Sequence, residues 1–257
     1  MKKVLAFDLD NTLAPSKSPV PDRISELLGE LLAYFEICVI SGGKFEQFNI
    51  QLISNLKIED KLLTKLHIMP TCGTRYFLYS PSKKLWDKVY AEDFSEGQKD
   101  KIIKALNTVT HNLRLDRSKT YGEQIEDRGS QISWSALGQD IVDVLGEEGV
   151  RQKEAWDPNG AKKEKIRAMA APMLPEFEVR AGGLTTIDVT KRGIDKAYGM
   201  QKLIDQLKLK KSDILFFGDK LKEGGNDYPV KAMGIDSLEV SDWQNTAFVL
   251  EAILHVV

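Results

Sequence analysis

Apolar and polar positions along the chain fall into two rhythms. Lys3-Val4-Leu5-Ala6-Phe7-Asp8 is a near-continuous apolar run ending on a carboxylate, the pattern of a strand covered on both faces. After a loop carrying Pro15, Ser16, Ser18 and Pro19, Pro21-Asp22 opens a stretch in which Ile24, Leu27, Leu28, Leu31, Leu32 and Phe35 recur at helical spacing, which predicts a helix with one apolar stripe. A second apolar run, Ile37 to Ile40, stops at Ser41-Gly42-Gly43, and Phe45, Phe48, Leu52, Ile53 and Leu56 follow with helical periodicity. Strand, helix, strand, helix predicts an α/β fold with a Rossmann-like, doubly wound parallel sheet.

Near Pro81 the rhythm changes. Phe94, Ile102, Leu106 and Val109 predict a helix, whereas Gln131-Ile132-Ser133-Trp134-Ser135-Ala136 alternates with period two, as a half-buried antiparallel strand does. Ala161 to Ala171 is helix-prone and lysine-rich; Glu176 to Ala181 and Leu184 to Val189 are short strand candidates separated by Gly182-Gly183. Parallel-type signals return with a helix from Asp195 to Leu207, a strand Ile214 to Phe217 and a helix Asn245 to Leu254. The expected organisation is therefore a sheet domain of residues 1–81 and 189–257, interrupted by an inserted α+β domain, 82–188.

At 257 residues, 42% hydrophobic and 29% charged, the chain can bury a sizeable core without disulfides or structural metal. Its 36 basic and 38 acidic residues give a net charge of −2, which supplies no global field for nucleic acid or anionic lipid. No apolar run approaches the ~18 residues of a membrane span, and Asp8 and Asp10 cut the first apolar stretch short of a signal peptide. These features predict a cytoplasmic protein whose partner is a small molecule rather than nucleic acid or membrane. Cys38 lies inside an apolar run and reads as a core residue, and Cys72, before Gly73, as a turn residue. His67, His111 and His255 show no ligand spacing, Trp134 reads as core packing, and Lys162, Lys163, Lys165 and Arg167 as a solvated helix face.

The chemistry concentrates where strands end, which is where ligands bind in open α/β sheets. Strand one ends Asp8-Leu9-Asp10-Asn11-Thr12, strand two ends Ser41-Gly42-Gly43-Lys44, and the late strand ends Gly218-Asp219-Lys220, followed by Gly224-Gly225-Asn226-Asp227. Side by side, these would bring Asp8, Asp10, Asp219 and Asp227 into one crevice, where they would repel one another unless a cation intervened. Hard oxygen ligands beside glycine turns suit Mg2+. A carboxylate next to such an ion can attack phosphorus and form an aspartyl-phosphate, with Ser41 and the Gly42 and Gly43 amides as donors to the phosphoryl oxygens and Lys196 as neutralising cation. Taken singly, Asp-x-Asp arises by chance, Ser-Gly-Gly is a turn and Lys196 a solvated helix lysine; their joint occurrence at three strand ends is what predicts catalysis.

These residues resemble the haloacid dehalogenase superfamily of phosphohydrolases and phosphotransferases. Asp8-Leu9-Asp10-Asn11-Thr12-Leu13 is similar to its first motif, Ser41 to the second, Lys196 to the third, and Asp219 with Asp227 to the fourth. The resemblance implies Asp8 as nucleophile, Asp10 as general acid/base, Ser41 and Lys196 on phosphate, and Mg2+ held by the acids. An insertion between the second and third motifs resembles the subclass IIB cap, a small domain implied to recognise substrate. Phe217-Gly218-Asp219-Lys220, Gly224-Gly225-Asn226-Asp227, Ile125 to Gly138 and Thr186-Ile187-Asp188-Val189 are similar to the eukaryotic-type phosphomannomutases, which implies substrate contacts at Arg128, Thr186 and Asp188 and leaves a homodimer open. Where those mutases carry a second cap arginine this chain has Gln139, which cannot make the bidentate fork to a distal phosphate, with Arg117 and Arg151 as candidate substitutes. The expected activity is Mg-dependent hydrolysis of a sugar phosphate or similar small phosphomonoester. The alternatives are a phosphomannomutase and a non-catalytic sensor of a phosphorylated ligand.

Overall fold

A computed structural model describes residues 2–115 and 119–257, and the chain contacts divide it into two units, Met1–Ala91 with Ile194–Val257, and Glu92–Gly193. In chain order the first unit begins β1 (Val4–Phe7), α1 (Asp22–Leu31), β2 (Glu36–Ile40), α2 (Phe45–Gln51), α3 (Asp60–Leu63), β3 (Leu66–Met69), β4 (Arg75–Ser80) and β5 (Leu85–Ala91). The second unit follows with α4 (Glu96–Asn112), β6 (Ile125–Asp127), β7 (Gln131–Ser135), α5 (Ile141–Leu145), α6 (Glu147–Trp156), α7 (Ala161–Ala170), β8 (Phe177–Ala181) and β9 (Thr186–Lys191). The chain then returns to the first unit with α8 (Lys196–Leu207), β10 (Ile214–Gly218), α9 (Tyr228–Ala232), β11 (Asp236–Glu239) and α10 (Trp243–Leu254).

The large sheet runs β11-β10-β1-β2-β3-β4-β5. Its first five strands are parallel, and β4 and β5 add an antiparallel hairpin. Because successive side chains on a strand face opposite ways, β1 feeds two cores. Leu5 and Phe7 join the cluster containing Ile24, Leu27, Leu28 and Leu31 of α1, while Val4 and Ala6 join Met200 and Leu203 of α8. Cys38 lies in that second core, and burial pushes its thiol well above the ordinary range, so it is a packing residue. His67 of β3 is buried, hydrogen-bonded to the Tyr76 hydroxyl at 2.7 Å and the Glu36 carboxylate at 3.0 Å.

In the second unit a fully antiparallel sheet, β6-β7-β9-β8, packs one face on helices. Ile132, Trp134, Val179, Ile187 and Val189 meet Ile102, Leu106 and Val109 of α4 and Ile166 and Ala170 of α7. A boundary expected at 82 meets a different fact: Leu85–Ala91 pairs along Arg75–Ser80 in the large sheet, so Pro81 marks the turn of a hairpin and the contacts divide after Ala91. At the other end, Thr186–Lys191 extends past residue 188 and the division falls after Gly193. No helix among the described residues is long and apolar enough to cross a membrane.

Candidate active site

β1 is the strand at which the chain reverses direction across the sheet, with β2 on one side and β10 on the other. Connections leaving to opposite sides open a crevice beyond the carboxyl ends of these strands. The register pairs Phe7 with both Val39 and Phe217, so Asp8, Ser41 and Asp219 all follow neighbouring strand ends. The Asp8 amide donates to the Phe217 carbonyl at 2.9 Å, which carries the strand pairing up to the carboxylate itself.

Lys196 is the first residue of α8, whose N-cap Asp195 accepts a hydrogen bond from the Tyr198 amide. It is 1% exposed and not the solvated helix lysine that its sequence context alone would suggest. Its Nζ lies 2.6 Å from Asp8 Oδ1 and 2.5 Å from Asp227 Oδ1. Two close approaches make this possible. A Cβ on Gly199 would stand 2.5 Å from Ile40 Cδ1 and 2.6 Å from the Cys72 carbonyl oxygen, so glycine there lets α8 sit against β2. A Cβ on Gly218 would stand 2.6 Å from the Asp227 carboxyl carbon, so glycine also leaves room for that side chain at the end of β10.

Burial dominates the electrostatics. Desolvation pushes the Asp8 carboxyl up to about 7; Lys196 opposes the shift and Asp227 adds to it. Desolvation also works against the Lys196 ammonium, but Asp8 and Asp227 outweigh it and the group is held charged, above its ordinary range. Asp219 is likewise raised, by burial first. A carboxylate oxygen of each of Asp8, Asp219 and Asp227 lies within 4.8 Å of the others. Asp227 Oδ1 is bound to Lys196 and its Oδ2 accepts from the Lys220 amide at 3.0 Å, whereas Asp219 Oδ1 is buried with no hydrogen-bond partner among the described residues. Three carboxylates around one buried ammonium, one of them with an orphaned oxygen, fit a hard divalent cation: it would supply both the missing charge and the missing contact.

Asp10 is not one of the three acids whose oxygens lie within 4.8 Å of one another, although its charge reaches Asp8 and adds to the upward shift there. Its Oδ1 accepts from the Lys17 amide at 2.7 Å and the Gln51 side-chain amide at 3.1 Å, and its Oδ2 from Gln47 Nε2 at 3.4 Å. Sequence reasoning missed Lys17, Gln47 and Gln51; the available signal was a glutamine on the buried side of α2, beside Phe48. Ser41 is buried, and its Oγ accepts from the Gly43 amide at 3.3 Å, which leaves the hydroxyl proton to donate elsewhere. The Ser41 and Gly43 carbonyls accept in turn from the amides of Cys72 and Thr71. A Cβ on Gly42 would meet nothing within 4 Å, so that backbone is open to close approach.

The expected cap residues lie in the second unit. Asp188 accepts from the Ser133 hydroxyl at 2.7 Å, and Thr186 shares its face of β9. Arg128 is ion-paired with Glu126, Nε to Oε2 at 2.7 Å. Gln139 is committed to the backbone, its amide donating to the Gln124 and Ser133 carbonyls at 3.2 Å. Of the candidate substitutes, Arg151 pairs on the surface with Glu148, and Arg117 lies outside the described residues.

Comparison with known proteins shows what this chain is similar to. The phosphomannomutase of Encephalitozoon cuniculi is 27% identical over 239 residues, 89% of this chain and 84% of that one. Phosphomannomutase 1 of Mus musculus is 27% identical over 234 residues, 88% and 82% of the two chains. Among solved structures, IMP-nucleotidase from Plasmodium falciparum superposes with a TM-score of 0.70 at 18% identity, covering 99% of this chain and 68% of that one. A haloacid dehalogenase-like hydrolase from Bacteroides thetaiotaomicron gives 0.64 at 14% identity, covering 98% and 100%. The profile of haloacid dehalogenase-like hydrolases matches residues 5–229, a span that begins inside β1 and ends just after Asp227. The chain belongs to the haloacid dehalogenase-like hydrolase family.

Proposed function

We propose that this protein is a cytoplasmic, Mg2+-dependent phosphohydrolase of a sugar phosphate or similar small phosphomonoester, working through an aspartyl-phosphate on Asp8. The observation that carries this reading is the buried Asp8–Lys196–Asp227 ion-pair network beside the orphaned oxygen of Asp219. A carboxylate in that setting can serve as nucleophile towards phosphorus. Its carboxylate oxygen bonds to phosphorus as the ester P–O bond breaks, and Asp10 protonates the departing alcohol. In the second half water attacks the aspartyl-phosphate, its proton passes to Asp10, and the Asp8 carboxylate is released. Lys196 keeps Asp8 oriented, and the Ser41 hydroxyl donates to the transferring group. Magnesium held by Asp8, Asp219 and Asp227 would offset the charge of the phosphoryl oxygens. In the second unit, Arg128, Thr186 and Asp188 are proposed to read the non-reacting part of the substrate.

A second reading, phosphomannomutase, is favoured by the similarity to proteins of that name over nearly nine-tenths of the chain. Against it stands Gln139, which is neutral and spends its amide on backbone carbonyls. A mutase has to hold a bisphosphate through reorientation, which calls for several charge-assisted contacts.

With Mg2+ and a panel of sugar monophosphates the wild-type protein is expected to release inorganic phosphate, and Asp8→Asn to fold but lose turnover. Full activity in that variant refutes the nucleophile assignment. Mannose 1-phosphate with a catalytic amount of hexose bisphosphate separates the readings: free phosphate supports the hydrolase, conversion to the 6-phosphate the mutase. Ligand-induced stabilisation without turnover of any ester would make the protein a sensor.

A further inference from the structure

We infer that Gln51, seconded by Gln47, is a positioning residue that assigns the two oxygens of Asp10 different work: Oδ1 is anchored and Oδ2 exchanges the proton. The inference rests on the hydrolase reading above and goes beyond it in naming what holds the acid/base. Gln51 is the last residue of α2 and only 1% exposed, an unusual burial for an amide side chain. All of its side-chain polar atoms are engaged. Nε2 donates to Asp10 Oδ1 at 3.1 Å and to the Ser18 carbonyl at 3.0 Å, and Oε1 accepts from Gln47 Nε2 at 2.6 Å. Its backbone carbonyl accepts from the Val20 amide at 2.7 Å, tying α2 to the loop that follows Asp10.

The two carboxylate oxygens are thereby made unequal. Oδ1 receives two donors of good length, the Gln51 amide and the Lys17 backbone amide, whereas among the described residues Oδ2 has only the 3.4 Å approach of Gln47. An oxygen that already accepts two hydrogen bonds is a poor place for a proton, since N–H donors facing an O–H would have to give way. Oδ2 is the oxygen left to carry it. In the first half-reaction the Oδ2 proton moves to the ester oxygen as its bond to phosphorus breaks. In the second, water's proton moves to Oδ2 as its oxygen bonds to phosphorus and the bond to Asp8 breaks. Gln51 touches neither the phosphorus nor the leaving group; it fixes the rotation of the carboxylate that does.

Leaving-group dependence tests this. The value of kcat/KM reports only through the first irreversible transfer, in which a sugar alkoxide needs protonation and p-nitrophenolate departs without it. Gln51→Leu is expected to lower kcat/KM for a sugar phosphate about a hundredfold and for p-nitrophenyl phosphate by less than about threefold. Equal losses on the two esters would make Gln51 a merely structural residue and overturn the inference, as would no loss on either. Gln47→Ala should show the same selectivity with a smaller loss, and it carries the test if Gln51→Leu does not fold. Wild-type turnover of both esters, and its absence in Asp8→Asn, are measured first. Failure there refutes the hydrolase reading itself and is distinct from failure of the leaving-group contrast.

Discussion

Asp8 shows how a single buried carboxyl links the site to stability. Its folded-state pKa is about 7 against an ordinary value of 3.8, and burial is the first cause. Between these values the folded protein holds a proton that the unfolded chain has lost. The contribution of Asp8 to stability is therefore complete at the acid end and disappears as pH rises through 7. With divalent ions chelated, the melting temperature of the wild type relative to Asp8→Asn should fall by about 5 °C or more between pH 4.5 and 7.5. A difference that is flat or rises with pH across that window would show that burial does not control this group. The same residue was legible in the sequence, because an apolar run that ends on Asp8-Leu9-Asp10 sets carboxylates at a strand end. The role of Gln51 was not, since α2 has to pack before a glutamine at its end can reach a carboxylate 41 positions earlier.

At the scale of elements, α8 is placed by close backbone approach. An interior Gly→Ala change in a helix ordinarily stabilises by roughly 0.5–1 kcal/mol. At Gly199 the sign should reverse, because the new Cβ meets the Cys72 carbonyl oxygen at 2.6 Å and the Gly73 Cα at 3.0 Å, neither of which is a flexible side-chain end. The helix has to move outward, and Lys196, three residues before Gly199, moves with it away from Asp8 and Asp227. Gly199→Ala is expected to lower the melting temperature and to cut kcat by more than about tenfold, given how strongly catalysis depends on sub-ångström positioning. A variant both more stable and fully active would sink this account. The surface that receives the helix was hard to read in advance. The Thr71-Cys72-Gly73 turn takes three consecutive positive φ values, 49°, 56° and 82°, and only the glycine signals that conformation in sequence. The hairpin of β4 and β5 was missed for a related reason. Leu85–Ala91 is an edge strand with Asp87 and Lys88 inside it, so no clean apolar pattern marks it, and Pro81 reads as a boundary when it is a turn.

For the whole molecule, the doubly wound sheet was legible because β1, β2 and β10 are each buried on both faces and therefore written as unbroken apolar runs. The second unit announced itself by a change of period, since polar and apolar residues alternate along Gln131–Ser135 where the parallel strands are unbroken; the half-buried strand this predicts is not what forms, because Gln131, Ser133 and Ser135 are buried as fully as Ile132 and Trp134. That change of period carries a thermodynamic consequence. Glu92–Gly193 is one uninterrupted stretch of chain, it contains every strand of the sheet β6-β7-β9-β8, and the apolar face of that sheet is covered by its own helices α4 and α7. A segment of about a hundred residues with its own core meets the size and packing conditions for folding alone. The first unit is in the opposite position, because its β10 and β11 come from chain beyond the insertion and without them β1 has no partner on one side. The excised segment 92–193 should therefore unfold cooperatively in urea and keep a near-ultraviolet circular dichroism band from Trp134, which is 1% exposed between the sheet and its helices. The fragment 2–91 alone should show no such transition. A segment 92–193 that unfolds without cooperativity would mean that its core depends on the rest of the chain.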